Sequence, residues 1–210
     1  EWLQPLPGYG MYFYFSLMGL LGILVALGYR YRLSMIAFTL LWTGAYLMQK
    51  TAYNNHYYLL VLISAIMCFL PANRACSLDS RRNPQIRRDD MYALVKWIIV
   101  AQLFIVYTYA AIAKLYMDWL DFSVIAQLME SRSDYYLIGP LLQLPWVHTL
   151  VGVFGILFDF SVVPLLLYRP TRKWAFGASV FFHLFNSIVF QIGIFPYLSL
   201  AFTVFFFEPE

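Results

Sequence analysis

The chain has 210 residues, 62% of them hydrophobic and only 12% charged, with a net charge of +3. Soluble domains sit near half apolar and a quarter charged, and a fold of this length cannot hide so much apolar surface from water. A water-soluble protein is excluded, and the small net charge gives no footprint for nucleic acid.

In chain order, seven apolar runs are long enough to cross or nearly cross a bilayer: residues 11–28, 33–48, 57–70, 91–113, 147–168, 174–190 and 194–207. The third and the last are short for a span and suit a tilted, re-entrant or interfacial segment. The runs are continuous rather than alternating. Lipid admits only helices or closed barrels, because every backbone polar group needs an internal partner there. The expected fold is therefore all-α, a polytopic transmembrane helical bundle of about seven segments, forming one membrane-embedded domain over residues 1–210. Tyr9, Tyr12, Tyr29, Tyr31, Tyr53, Tyr57, Trp119, Trp146, Tyr168 and Trp174 crowd the segment ends as an interfacial belt. The chain opens on Glu1 with no signal pattern, which suggests a processed chain or one truncated at its ends. No internal repeat or low-complexity stretch is evident.

Seven crossings place the connections alternately on two faces. One face collects Arg30, Arg32, Arg74, Arg81, Arg82, Arg87, Arg88, Arg169, Arg172 and Lys173, leaving few of the 14 Lys and Arg elsewhere. The positive-inside rule makes this face cytoplasmic. The other holds Lys50, Lys114 and Arg132 with Asp118, Asp121, Glu130 and Asp134. Residues 71–90 form a basic connection, and residues 114–146 an acidic, aromatic one. Cys68 and Cys76 suggest neither a disulfide nor a redox pair.

Polar groups at membrane depth are costly, so each is a functional candidate. They are Asn54, Asn55 and His56 opening the third segment, Lys114 closing the fourth, Asp159 within the fifth, and His183 with Asn186 in the sixth. His56, Lys114 and His183 fall at one depth on the outer side, and His183 and Asn186 share a helix face. Each has an ordinary alternative. Lys114 at a helix end can snorkel, His56 can be an interfacial cap, His183 with Asn186 can be interhelical glue, and Asp159 can pair for structure. Snorkelling leaves an exposed ammonium, whereas a lysine acting as general base is enclosed, its amine kept uncharged by apolar surroundings. His56, His148 and His183 lack the paired spacing of a metal-ligand set, and no phosphate loop, nucleophile elbow or HExxH motif occurs.

At these same residues the chain resembles the vitamin K-dependent gamma-glutamyl carboxylases and their bacterial relatives. Four blocks carry the likeness in order: KTAYNNHYYLLVLISAIMCFLPANRACSLD, YAAIAKLYMDWL, GILFDFSVVPLLLY and FFHLFNSIVFQIGIFPYL. The resemblance implies a membrane enzyme that oxygenates vitamin K hydroquinone to its epoxide with molecular oxygen. The strong base formed on that path deprotonates a peptide glutamate, which then takes up carbon dioxide. Lys114 matches the family's base lysine and His56 a histidine of the same chemistry. Asn55, His183, Asn186 and Asp159 fall in matching blocks as residues around the substrate and quinone. The implied partners are membrane lipid, a lipid-soluble quinone and a glutamate-containing protein. The implied location is a bacterial inner membrane with the site on the extracytoplasmic side. Animal members carry a further domain that helps recognise a propeptide, and the family usually begins with another membrane segment. Neither is expected in this chain, which puts that route of substrate recognition in doubt.

Overall fold

All regular structure is helical, and no strand occurs among the described residues. The computed structural model describes residues 3–48, 54–90 and 92–207. Glu1, Lys50, Tyr53 and Met91 of the preceding reading lie outside these residues.

The chain divides into two compact units, Glu1–Met91 and Tyr92–Glu210. In the first, α1 (Gly10–Ala26) packs on α2 (Tyr31–Met48), and α2 packs on α3 (Asn55–Phe69). The turn between α1 and α2 needs Gly28 twice over. Its φ is +61°, a left-handed value that suits glycine, and a side chain there would collide with Ser77. A short helix, α4 (Leu78–Arg82), lies in the basic connection, where the Leu78 and Asp79 N–H groups donate to the Leu27 and Gly28 carbonyls at 2.9 and 3.0 Å. The Asn54 side chain caps α3 by accepting from the His56 and Tyr57 N–H groups at 2.9 and 3.4 Å. Tyr31 departs from the interfacial-belt reading. It is 3% exposed, and its hydroxyl donates to the Met67 carbonyl at 3.0 Å, tying α2 to α3.

The second unit contains α5 (Ala93–Ala113), three short helices α6 (Met117–Leu120), α7 (Ser123–Glu130) and α8 (Gly139–Leu142), and then α9 (Pro145–Leu167), α10 (Arg169–Phe185) and α11 (Phe195–Thr203). Helix α10 runs on through a π-helical turn, Asn186–Phe190. It also begins at Arg169, ahead of the expected residue 174, because Pro170 suits a first helical turn. Arg172 and Thr171 then donate to the last carbonyls of α9, Leu166 at 2.9 Å and Leu165 at 2.8 Å. One core lies between α5, α9 and α10, built on Val100, Leu103, Phe158, Val162, Leu166 and Phe206. A second, of Ile125, Met129, Leu142, Val147 and Val189, lies beneath the acidic connection. That connection is therefore a folded cover and not a loose loop.

All seven expected runs contain helix, but among the described residues only α5 (21 residues) and α9 (23 residues) are long and apolar enough to cross a bilayer by themselves. Their outer faces stay apolar: Phe104, Ile105 and Ile112 on α5, and Leu150, Leu157 and Phe160 on α9, are exposed. Helices this apolar on the outside are solvated by lipid. The protein is membrane-associated.

Candidate active site

On α5 the buried residues Val100, Leu103, Tyr107 and Ala111 recur at helical spacing. The next position on that face is Lys114, which ends the helix. On α9 the inward stripe runs through Gly152, Gly155, Asp159, Val162 and Leu166. Because α5 packs on α9, the two stripes meet, and Lys114 Nζ donates a hydrogen bond to Asp159 Oδ2 within an ion pair. The side chains are 20% and 4% exposed.

Trp119 closes the other side of the amine. Its ring centre lies 5.3 Å from Lys114 Nζ, and its indole N–H donates to the Gly152 carbonyl at 3.4 Å. Gly152 permits this approach, since a Cβ there would stand 2.6 Å from both Ile125 Cδ1 and Phe122 Cδ1. Lys114 is thus held between Asp159 and Trp119, with its side chain one-fifth exposed. Trp119 packs at the amine instead of serving only as an interfacial anchor. The amine does not face an all-apolar wall, because the helical register of α9 brings the Asp159 carboxylate against it.

A second polar group lies further along α5. Tyr107 Oη is 2.6 Å from His183 Nε2 and donates to Ser199 Oγ at 3.1 Å. A phenol has one proton. With that proton on Ser199, His183 must supply the Nε2–H, which leaves Nδ1 as a bare acceptor. His183 is wholly buried, and Nδ1 has no hydrogen-bond partner. Its ring is edged by Phe158, Phe182 and Phe195 with centroids 5.4–5.9 Å away. Buried acceptors without partners are rare and costly. The Tyr107 ring also packs edge-on against Phe158, the chain neighbour of Asp159, with centroids 6.0 Å apart.

Of the other sequence candidates, Asn186 is buried at the start of the π-helical turn, close along the chain to His183. Asn55 and His56 open α3 in the first unit, with Asn55 exposed and His56 half-buried. His148 Nε2 is bonded to the Leu142 carbonyl at 2.7 Å. Among the described residues no group of three or more His, Cys, Asp or Glu could hold a metal ion, and Cys68 and Cys76 are free thiols. Tyr107, Ser199 and Trp119 were not singled out as site residues from the sequence. Tyr107 was discoverable there, since it stands two helical turns before Lys114 on one face. Ser199 had no such signal.

The four sequence blocks and the enclosed lysine meet a single family description: the HTTM domain matches residues 1–210. The chain belongs to the HTTM domain family. The HTTM domain is found in vitamin K-dependent gamma-carboxylase and related proteins, so the resemblance holds at that level. No solved structure matches this HTTM chain.

Proposed function

We propose that this protein is a polytopic membrane enzyme of the vitamin K-dependent gamma-carboxylase type, oxygenating a reduced quinone and carboxylating peptide glutamate. The observation that supports it is the Lys114–Asp159 pair, shut in between α5, α9 and Trp119. The residues present fit a quinol. His183 Nδ1 is a buried acceptor without a partner, suited to a hydroxyl, and its aromatic surroundings suit a ring. When bound, the reduced quinone supplies the driving force, because its oxygenation yields a base far stronger than any side chain.

The chain's own residues hold and move protons. In an enclosed site the pair exists as ammonium and carboxylate or as amine and carboxylic acid, and the two forms differ by one proton along the existing hydrogen bond. The amine form leaves a lone pair on Lys114 Nζ, which takes a hydroxyl proton. Asp159, still protonated, then offers only its carbonyl oxygen to the resulting ammonium, whose charge is balanced by the quinol anion. Trp119, Phe122 and Ile125, packed on Gly152, keep water from a strong base that it would quench. His183 and Asn186 hold the quinone; a part for His56 and Asn55 is implied by the family resemblance alone. By the charge asymmetry of the sequence, the site opens to the extracytoplasmic side of a bacterial inner membrane, seven segments spanning it. Oxygen and carbon dioxide are the co-substrates, and a glutamate-containing protein is the acceptor.

The ion pair also supports a second reading, a quinone- or lipid-binding protein in which Lys114 and Asp159 merely fasten α5 to α9. Purified protein supplied with reduced vitamin K, oxygen, bicarbonate and a glutamate peptide separates the two. Epoxide and carboxyglutamate are both expected from the native chain and from neither Lys114→Ala nor a heated sample. Epoxide alone indicates an oxygenase that does not carboxylate that peptide. Quinone binding without epoxide under any oxygen supply establishes the second reading.

A further inference from the structure

The connection after α3 is the most basic stretch of the chain, and it is folded onto the turn between α1 and α2. The Asp79 carboxylate accepts the Arg30 N–H at 2.8 Å, the Tyr31 N–H at 3.0 Å and the Asn73 amide at 2.8 Å. The Arg88 N–H closes the loop onto the Arg74 carbonyl at 3.0 Å. Asp79 is therefore spent on backbone and amide donors, and the nearby guanidinium groups are left over. The Arg82 guanidinium lies 5.1 Å from the centre of the Tyr29 ring. Hydrogen bonds from Arg82 and Arg30, with the charge of both, hold the Tyr29 hydroxyl below its ordinary range. Arg30, Arg81 and Arg82 are all exposed, and among the described residues none of them is ion-paired with a carboxylate.

With the Arg82 guanidinium over the Tyr29 ring and Arg30 its chain neighbour, two like charges stand close together, and an anion between them relieves their repulsion. Arg30 has a φ of 41°, in the left-handed region where a side chain is strained and glycine would be the easy choice. The surroundings name the source of the anion. Ile23 and Leu27 on one side of the turn, and Leu33 and Ile36 on the other, are exposed apolar residues, so the arginines stand at the end of an oily hairpin. That is headgroup depth for a hairpin solvated by lipid.

We propose that Arg30 and Arg82, with Arg81 beside them, are a preformed docking site for the phosphate of an anionic phospholipid headgroup, held in shape by Asp79. Guanidinium forks match phosphate oxygens in charge and geometry. The site is independent of the quinone chemistry and stands or falls separately from it.

The test is native mass spectrometry of the full chain released from mixed phosphatidylglycerol and phosphatidylcholine vesicles. The native protein is expected to retain phosphatidylglycerol several-fold over phosphatidylcholine, and R30Q/R82Q to lose that preference. K96Q/K173Q, which removes the same charge elsewhere, is expected to keep it. Asp79→Ala, which leaves every arginine in place but frees the loop, is expected to lower retention. Circular dichroism confirms equal helix content in each variant. Unchanged retention by R30Q/R82Q or by Asp79→Ala overturns the proposal, as does an equal loss in K96Q/K173Q. Displacement of the lipid by inorganic phosphate alone assigns the site to a free anion and overturns the lipid assignment.

Discussion

Tyr107 Oη stands 2.6 Å from His183 Nε2 while donating to Ser199 Oγ at 3.1 Å, so one phenol joins α5, α10 and α11 at a buried point. This junction has a consequence for stability. Tyr107→Phe leaves both the His183 Nε2–H and the Ser199 hydroxyl buried without their partner, at about 1–3 kcal/mol for each group. Ser199→Ala leaves the Tyr107 O–H free to turn to His183 Nε2 in its other tautomer, and is expected to cost less, about 1 kcal/mol. Denaturant unfolding in one fixed detergent, followed by tryptophan fluorescence, orders the two variants. Equal stability of Tyr107→Phe and the native chain would show that the junction carries no load.

The Lys114–Asp159 pair is expected to show strong coupling. Asp159→Ala strands an enclosed ammonium, and Lys114→Met strands a carboxylate only 4% exposed. Each is expected to cost about 3–5 kcal/mol. Removing both leaves no unpaired charge, so the double variant should be more stable than the sum of the singles requires. A double-mutant cycle by the same unfolding assay measures this directly, and additive losses would sink the ion pair.

Gly152 is the point where the folded cover touches α9. Gly152→Leu places side-chain atoms where Phe122 and Ile125 already stand, and overpacking of this kind costs about 1–3 kcal/mol or shifts the backbone. The expected signature is a change in Trp119 fluorescence, because its indole N–H is bonded to the Gly152 carbonyl. Gly177, with open space around its Cβ position, serves as the control: Gly177→Ala should leave the spectrum unaltered.

The basic connection should respond to acid. Burial alone would raise the Asp79 carboxyl, but the N–H groups of Tyr31 and Arg30 and the Asn73 amide outweigh it and hold the group below its usual range. A depressed carboxylate contributes stability in full above its unfolded value, about 3.9, and loses it as pH falls through the lower folded value. The hold of α4 on the α1–α2 turn is therefore constant near neutral pH and released only in strong acid. The amide proton shifts of Arg30 and Tyr31 report it, and a midpoint at or above the ordinary carboxylate range would refute the assignment.

How much of this was legible in the sequence differs between elements. The apolar runs located every long helix, since continuous hydrophobicity and helix length are local properties. The run at 174–190 started late because Arg169, Arg172 and Lys173 broke the apolar pattern while Pro170 still set the helix start. The cover over α9 was legible only as an acidic, aromatic connection, because α6 and α8 are single turns and α7, which buries Ile125 and Met129, is too short to stand out as an apolar run. The polarity of Lys114 at a helix end was visible in the sequence, but its pairing with Asp159 followed only from two helical registers taken together: Tyr107, Ala111 and Lys114 on α5, and Gly155, Asp159 and Val162 on α9. The Tyr107–Ser199 contact joins residues far apart in the chain, and no spacing rule anticipates it.

Initial rates of epoxide formation from reduced vitamin K test most directly whether Lys114 and Asp159 act as one proton-exchanging unit. Native protein, Lys114→Ala, Asp159→Asn and the double variant are compared at saturating quinol and oxygen. Both single variants should lose at least about a hundredfold, the lower bound for a positioned general base, and the double variant should be no slower than Lys114→Ala alone. A native rate retained by Lys114→Ala, or losses that multiply in the double variant, refutes the shared role.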